Sequence, residues 1–302
     1  MDAFGEYVML PLKSRLQQYA TLHKAKWETI EQDYILSWIL AGISLVPELR
    51  YNLVFKGGTC LRKCYFGDYR FSQDIDLSVS GNHDLLSVDL EKYIEQACGL
   101  IESHLHEQGE GISIRSQKYT EKEPHPAGQQ AFLIEAKLPW HSQFYTKVYV
   151  EVTFDEVLLL PPVKTKIIHP YGDNFDYQLE VYDINEIVVE KMRALLQFAK
   201  KLHERGWGRS RVRDYYDLWR IFGTYGANLR KSIIPQLFSL KCSFKDVECN
   251  HISELFQEKL MLNVEKEWDV WLKDIVVGEL PKHVVVINEL RQTIEQIFLK
   301  DI

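Results

Sequence analysis

Positive charge is in short supply in this sequence. It carries 36 Lys and Arg against 43 Asp and Glu, a net charge of −7. That excludes a chain that coats DNA or packs RNA by overall charge, and leaves only a local basic patch for nucleic-acid contact. No apolar run approaches the ~18 residues of a membrane span, so no membrane partner is expected. The five cysteines (Cys60, Cys64, Cys98, Cys242, Cys249) are odd in number, and none stands in a Cys-x-x-Cys pair. With no recognisable signal peptide, this reads as a reduced, cytoplasmic protein. Cys242, Cys249 and His251 form an incomplete zinc set, so free buried thiols are expected there. Internal repeats and low-complexity segments are also lacking. What is present is 302 residues, 46% apolar and 26% charged, enough for one large globular domain or two ordinary ones.

The most informative stretch is 55–79. Leu53-Val54-Phe55 ends a short apolar run with the pattern of a buried strand. Gly57 and Gly58 then permit a sharp turn and close approach of a ligand to the backbone. Thr59 opens a segment able to start a helix, whose free N–H groups suit phosphate. The stretch closes on Asp74-Ile75-Asp76-Leu77-Ser78-Val79. As a strand, it puts Asp74 and Asp76 on one face and Ile75, Leu77 and Val79 on the other. Adjacent carboxylates repel, and a divalent cation such as Mg²⁺ removes the penalty. A surface strand end beside an unrelated turn is the plainer alternative.

Lys56-Gly57-Gly58-Thr59, a spacer, and Arg70-Phe71-Ser72-Gln73-Asp74-Ile75-Asp76-Leu77 resemble the signature of the AbiEii/MenT nucleotidyltransferase toxins. The resemblance runs over roughly 50–220. It implies an α+β fold: a polymerase β-like domain with a mixed sheet flanked by helices over 1–177, then an α-helical domain over 178–302. It implies two Mg²⁺ ions held by Asp74, Asp76 and a third carboxylate on a neighbouring strand. Glu151, in mid-strand opposite the Val148, Val150 and Val152 face, is the choice, with Asp155 as fallback. It implies nucleotide-binding roles for Lys56, Gly57, Gly58, Thr59, Arg70 and Ser72. Lys191 and the later Asp214 would be contributed to the cleft by the helical domain.

About five strands are expected: 52–55, 74–79, 111–119, 130–138 and 143–154. A dense apolar helix over 27–47 should pack under the sheet. A second helix over 85–107 carries a stripe of Leu90, Ile94, Ala97 and Ile101. A turn is expected around Asn82, and a loop around Pro124, Pro126 and Gly128. Asp183 and Glu186 read as an N-cap with its capping-box partner. Residues 200–213 read as a basic loop (Lys200, Lys201, Arg205, Arg209, Arg211, Arg213) with Trp207 placed to stack on a base, or as a solvated loop. Asp217 is expected to hold a structural Arg, and Trp268 and Trp271 to pack in a core.

The chemistry expected is transfer of a nucleoside monophosphate from an NTP to an acceptor, with release of pyrophosphate. The resemblance implies an RNA acceptor, foremost the tRNA 3′ end, and a toxin with a cognate antitoxin in a toxin–antitoxin or abortive-infection (phage defence) system. Two alternatives stand beside it: a small-molecule nucleotidyltransferase of the antibiotic-modifying type, and a nucleotide-binding regulator without turnover.

Overall fold

The computed structural model of the chain describes residues 10–81, 83–119, 128–208 and 210–299, with the backbone alone for 83–87. Asn82, Pro124, Pro126 and Arg209 lie outside the described residues. The chain divides into two compact units, the first taking 1–156 and 164–181 and the second 157–163 and 182–302.

The first unit opens with α1 (Leu12–His23), α2 (Trp27–Leu45) and the short α3 (Pro47–Arg50). Then come β1 (Leu53–Lys56), α4 (Gly57–Cys60), a π-helical continuation (Leu61–Phe66), β2 (Asp74–Val79) and α5 (His83–Glu107). The remaining strands are β3 (Ser113–Tyr119), β4 (Gln129–Lys137), β5 (Thr146–Thr153), β6 (Val163–Lys166) and β7 (Gln178–Val181). They form one mixed sheet in the order β3-β4-β5-β2-β1-β7-β6. The sheet therefore has seven strands rather than about five. The two additions are four-residue strands at one edge, and β6 is mostly exposed. A short polar edge strand lacks the buried alternation that reveals a strand in sequence.

Helix α2 is apolar all round from Tyr34 to Ile43, so it has no face for water. It is buried throughout 33–44 and packs against α5 and β5. From α5 the stripe of Leu90, Ile94, Ala97 and Ile101 is buried against it, as expected. The inner face of the sheet is equally apolar: Ile75, Leu77, Val150, Val152 and Phe132 are all buried. This packing, worth about 1.5–3 kcal/mol for each large side chain, fixes which way β2 and β5 face.

The second unit is helical: α6 (Ile184–Arg205), α7 (Val212–Tyr225), α8 (Ile234–Phe244), α9 (Glu258–Leu272) and α10 (His283–Leu299). Asp183 caps α6, its carboxylate accepting from the Asn185 N–H at 2.8 Å. Glu186 is not a capping-box partner. It is buried, and its two oxygens accept from the N–H groups of Leu159 and Leu160, both at 2.9 Å. The basic stretch expected as a loop from residue 200 is helical through Arg205, because α6 keeps its buried stripe through Leu202. Trp207, just past the helix end, is 72% exposed. Trp268 is buried and its indole N–H donates to the Pro281 carbonyl, but Trp271 is 43% exposed rather than core.

Candidate active site

Strand pairing decides which side chains share a face. In the register, Lys56 of β1 stands opposite Asp76 of β2, and Asp76 opposite Glu151 of β5. Paired residues in a sheet project to the same side, so Lys56, Asp76 and Glu151 form one row across three strands. Asp74, two residues from Asp76, shares that face and pairs with Tyr149. All five side chains are half-buried, whereas their neighbours Ile75, Leu77, Val150 and Val152 are buried on the opposite face.

The glycine turn abuts this row. Gly57 has φ +80°, a region that side-chain-bearing residues avoid, and a Cβ placed there would lie 2.2 Å from Oδ2 of Asp76. A Cβ on Gly58 would lie 2.5 Å from a terminal guanidinium nitrogen of Arg70. The turn thus lies between a carboxylate and a guanidinium: at Gly57 the positive φ favours glycine, and at Gly58 a side chain would displace the Arg70 guanidinium. Thr59 is buried, and its hydroxyl donates to the Asp74 carbonyl at 2.5 Å, tying the start of α4 to the start of β2. Arg70 is 3% exposed. Ser72 is half-buried two residues before β2. The Lys56 ammonium lies 3.9 Å from the carboxylate of Glu156. Asp155, the fallback carboxylate, packs against Gly128 beyond the end of β5.

Three carboxylates of hard oxygen, on adjacent strands and one face, match the chemistry of a divalent cation such as Mg²⁺. Among the described residues, however, no three His, Cys, Asp or Glu side chains are gathered closely enough to hold a metal ion as they stand. The face brings Asp74, Asp76 and Glu151 together by register; bringing their oxygens together requires side-chain rotation. Cys242 is a buried free thiol and Cys249 a half-buried one.

Behind the turn lies a group the sequence reading missed. Asp33 of α2 is 1% exposed and takes Arg62 Nε at 2.7 Å, Lys63 Nζ at 2.5 Å and the Tyr171 hydroxyl at 2.6 Å. Burial works to raise its carboxyl pKa, but Arg62 and Lys63 overcome this and hold it well below the usual carboxylate range. Burial lowers the Lys63 ammonium to about 8 despite Asp33, with Arg62 adding to the fall. The local signal was weak: Asp33 ends the polar triplet Glu31-Gln32-Asp33 just before the apolar run of α2, and Arg62 and Lys63 stand as two adjacent cations between Leu61 and Cys64.

In the second unit, the Lys191 ammonium lies 2.8 Å from Asp214 and 2.6 Å from Asp217. Asp217, expected to hold an Arg, holds Lys191. Arg211 stands 3.4 Å from Asp214. Burial tends to raise the Asp214 carboxyl, but Lys191 and Arg211 hold it below its ordinary value.

A mixed sheet that sets paired aspartates and a third acidic strand against a glycine turn, joined to a helical unit, is the architecture of a nucleotidyltransferase. A family model described as nucleotidyl transferase AbiEii toxin, type IV toxin–antitoxin system, matches residues 38–297, and the chain belongs to that family. It is accordingly an NTP-using nucleotidyltransferase and the toxin of a type IV toxin–antitoxin pair. Among solved structures, the chain is similar to MenT4, a nucleotidyltransferase toxin from Mycobacterium tuberculosis H37Rv. The TM-score is 0.66 at 17% identity, over 96% of this chain and 90% of that one. At that identity the likeness concerns the fold. Comparison with curated proteins finds no match. Among the described residues, no helix is long and apolar enough to cross a membrane.

Proposed function

We propose that this chain transfers a nucleoside monophosphate from an NTP to a hydroxyl of an RNA acceptor, the 3′ end of tRNA foremost, and releases pyrophosphate. The observation that carries the reading is the row of Asp76 and Glu151, with Asp74 on the same face, set against the Gly57–Gly58 turn. Asp74, Asp76 and Glu151 are the residues that would hold Mg²⁺, two ions in this reading. When bound, the ions supply charge neutralisation at the triphosphate and a more acidic acceptor hydroxyl.

The chain's own groups do the rest by positioning. The N–H groups at Gly58 and Thr59 face a phosphate without a Cβ in the way, and Arg70 brings a fixed positive charge to Gly58. Lys56 stands on the same face by register, and Ser72 lies two residues before β2. For Lys191 and Asp214 the support is the family resemblance: Lys191 is assigned to the triphosphate and Asp214 to holding its ammonium. No protein nucleophile is needed. The reaction would serve growth arrest in the cytoplasm, as in abortive infection of phage-infected cells.

Incubation of the purified protein with labelled NTPs, Mg²⁺ and bulk RNA tests the reading. Label in RNA, concentrated in tRNA, is the expected result. Label on a small molecule would replace the acceptor, and nucleotide binding without any transfer would overturn the enzymatic reading.

A further inference from the structure

Arg70 reaches Gly58 from a segment without regular structure, residues 67–73 between the π-helix and β2. A functional side chain on such a segment is held less precisely than one on a helix or strand unless packing and hydrogen bonds lock the segment. Arg70 itself donates to the Phe71 carbonyl at 3.3 Å and lies 5.7 Å from the Tyr69 ring centroid, and the two residues it leans on are held in turn by Arg62. Its Nη1 donates to the carbonyl of Tyr69, and its guanidinium lies over the ring of Phe71, 3.8 Å from the centroid. Arg62 thus grips the residues on either side of Arg70. Arg62 is in turn held by Asp33, through the 2.7 Å bond from its Nε. Asp33 sits on α2, the most deeply buried helix of the first unit, and both Asp33 and Arg62 are 1% exposed.

The arrangement is costly unless it serves something. Arg62 and Lys63 bury two adjacent cations against one carboxylate, which leaves the named trio with an excess positive charge. An apolar pair would fill the same space more cheaply. What an apolar pair cannot do is hold a carbonyl and an aromatic ring at once from a planar fork.

We propose that Arg62, anchored by Asp33, is a positioning residue that sets Arg70 against Gly58 for the triphosphate of the NTP. This deepens the reading above and rests on it. Neither residue touches the nucleotide. The chain of contacts runs from Asp33 to Arg62, from Arg62 to Tyr69 and Phe71, and so to Arg70.

Asp33→Asn leaves two buried cations on a neutral amide and threatens the fold itself, so the informative variant is Arg62→Lys. It keeps the charge on Asp33 but loses the fork to Tyr69 and the planar contact with Phe71. The experiment measures KM and kcat for NTP in wild type, Arg62→Lys, Arg70→Ala and the double variant, with melting temperature recorded for each. The expected result is a KM raised roughly tenfold by Arg62→Lys, with kcat within about twofold. In the Arg70→Ala background the same change should have no further effect on KM, because its route to the nucleotide is already cut. A wild-type KM in a folded Arg62→Lys variant overturns the proposal, as does a KM effect that persists undiminished without Arg70. Should Arg62→Lys not fold, Arg62→Gln, which keeps one planar donor for Tyr69, is judged by the same two criteria. A wild-type protein that binds NTP but transfers nothing fails the functional reading instead. The positioning claim is then judged by the same cycle on NTP affinity.

Discussion

In the first unit one buried carboxylate serves two cations; in the second, one buried ammonium serves two carboxylates. Asp33 takes Arg62 and Lys63. Lys241, fully buried on α8, takes Glu186 at 2.8 Å and Glu190 at 2.9 Å. Lys191 repeats the second pattern with Asp214 and Asp217. The difference shows in the two lysines' acid–base behaviour. Burial disfavours both ammonium groups, but Glu190 and Glu186 overcome it at Lys241 and hold its pKa above the ordinary value. At Lys63 a single shared carboxylate does not, and burial wins. The second unit uses buried charge to close itself, since Glu186 also takes the Leu159 and Leu160 N–H groups and Lys241 the Val157 carbonyl. In the first unit the Asp33–Arg62–Lys63 trio sets two cations against one carboxylate.

The strongest way to break this comparison is to remove the cation of the second unit. Lys241→Met leaves Glu186 and Glu190 without it, and unfolding in urea should show a loss of about 3–5 kcal/mol. A cost below ~1 kcal/mol would mean that the cluster does not hold the unit together.

A smaller effect sharpens the contrast. The folded pKa of Lys63 is about 8 against 10.5 unfolded, so between those values the unfolded chain holds the extra proton. Stability should therefore rise with pH across that window through this group. For Lys241 the folded pKa lies above 10.5, so both states keep the proton there and its contribution is lost only at higher pH. Melting temperatures of wild type and Lys63→Met, compared from pH 8 to 10.5, should diverge in favour of wild type as pH rises. The wild-type and Lys241→Met difference should stay level. A level difference for Lys63 would remove the asymmetry.

Much of the candidate face was legible in the sequence because period-two alternation is unambiguous in strands this apolar. Asp74 and Asp76 had to share a face once Ile75, Leu77 and Val79 went inward, and Glu151 followed from Val148, Val150 and Val152. Register, which sets Glu151 beside Asp76, is a long-range property no local pattern carries. Buried charge was the blind spot. Asp33, Arg62, Lys63 and Lys241 each look like solvated residues in a local window, and only their partners, 29 or 30 residues away for Asp33, make burial tolerable. The α6 boundary was misread because Lys200 to Arg205 was taken for its charge rather than for its helix propensity.

The measurement closest to the centre of this account is nucleotide transfer by Asp76→Ala. Asp76 stands between Lys56 and Glu151 in the register and against Gly57, a position that Asp74, at the start of β2, does not share. With labelled NTP, Mg²⁺ and bulk RNA, the variant should transfer nothing above background while melting as the wild type does. Transfer at the wild-type rate from the folded variant would contradict the assignment of this face as the reaction site.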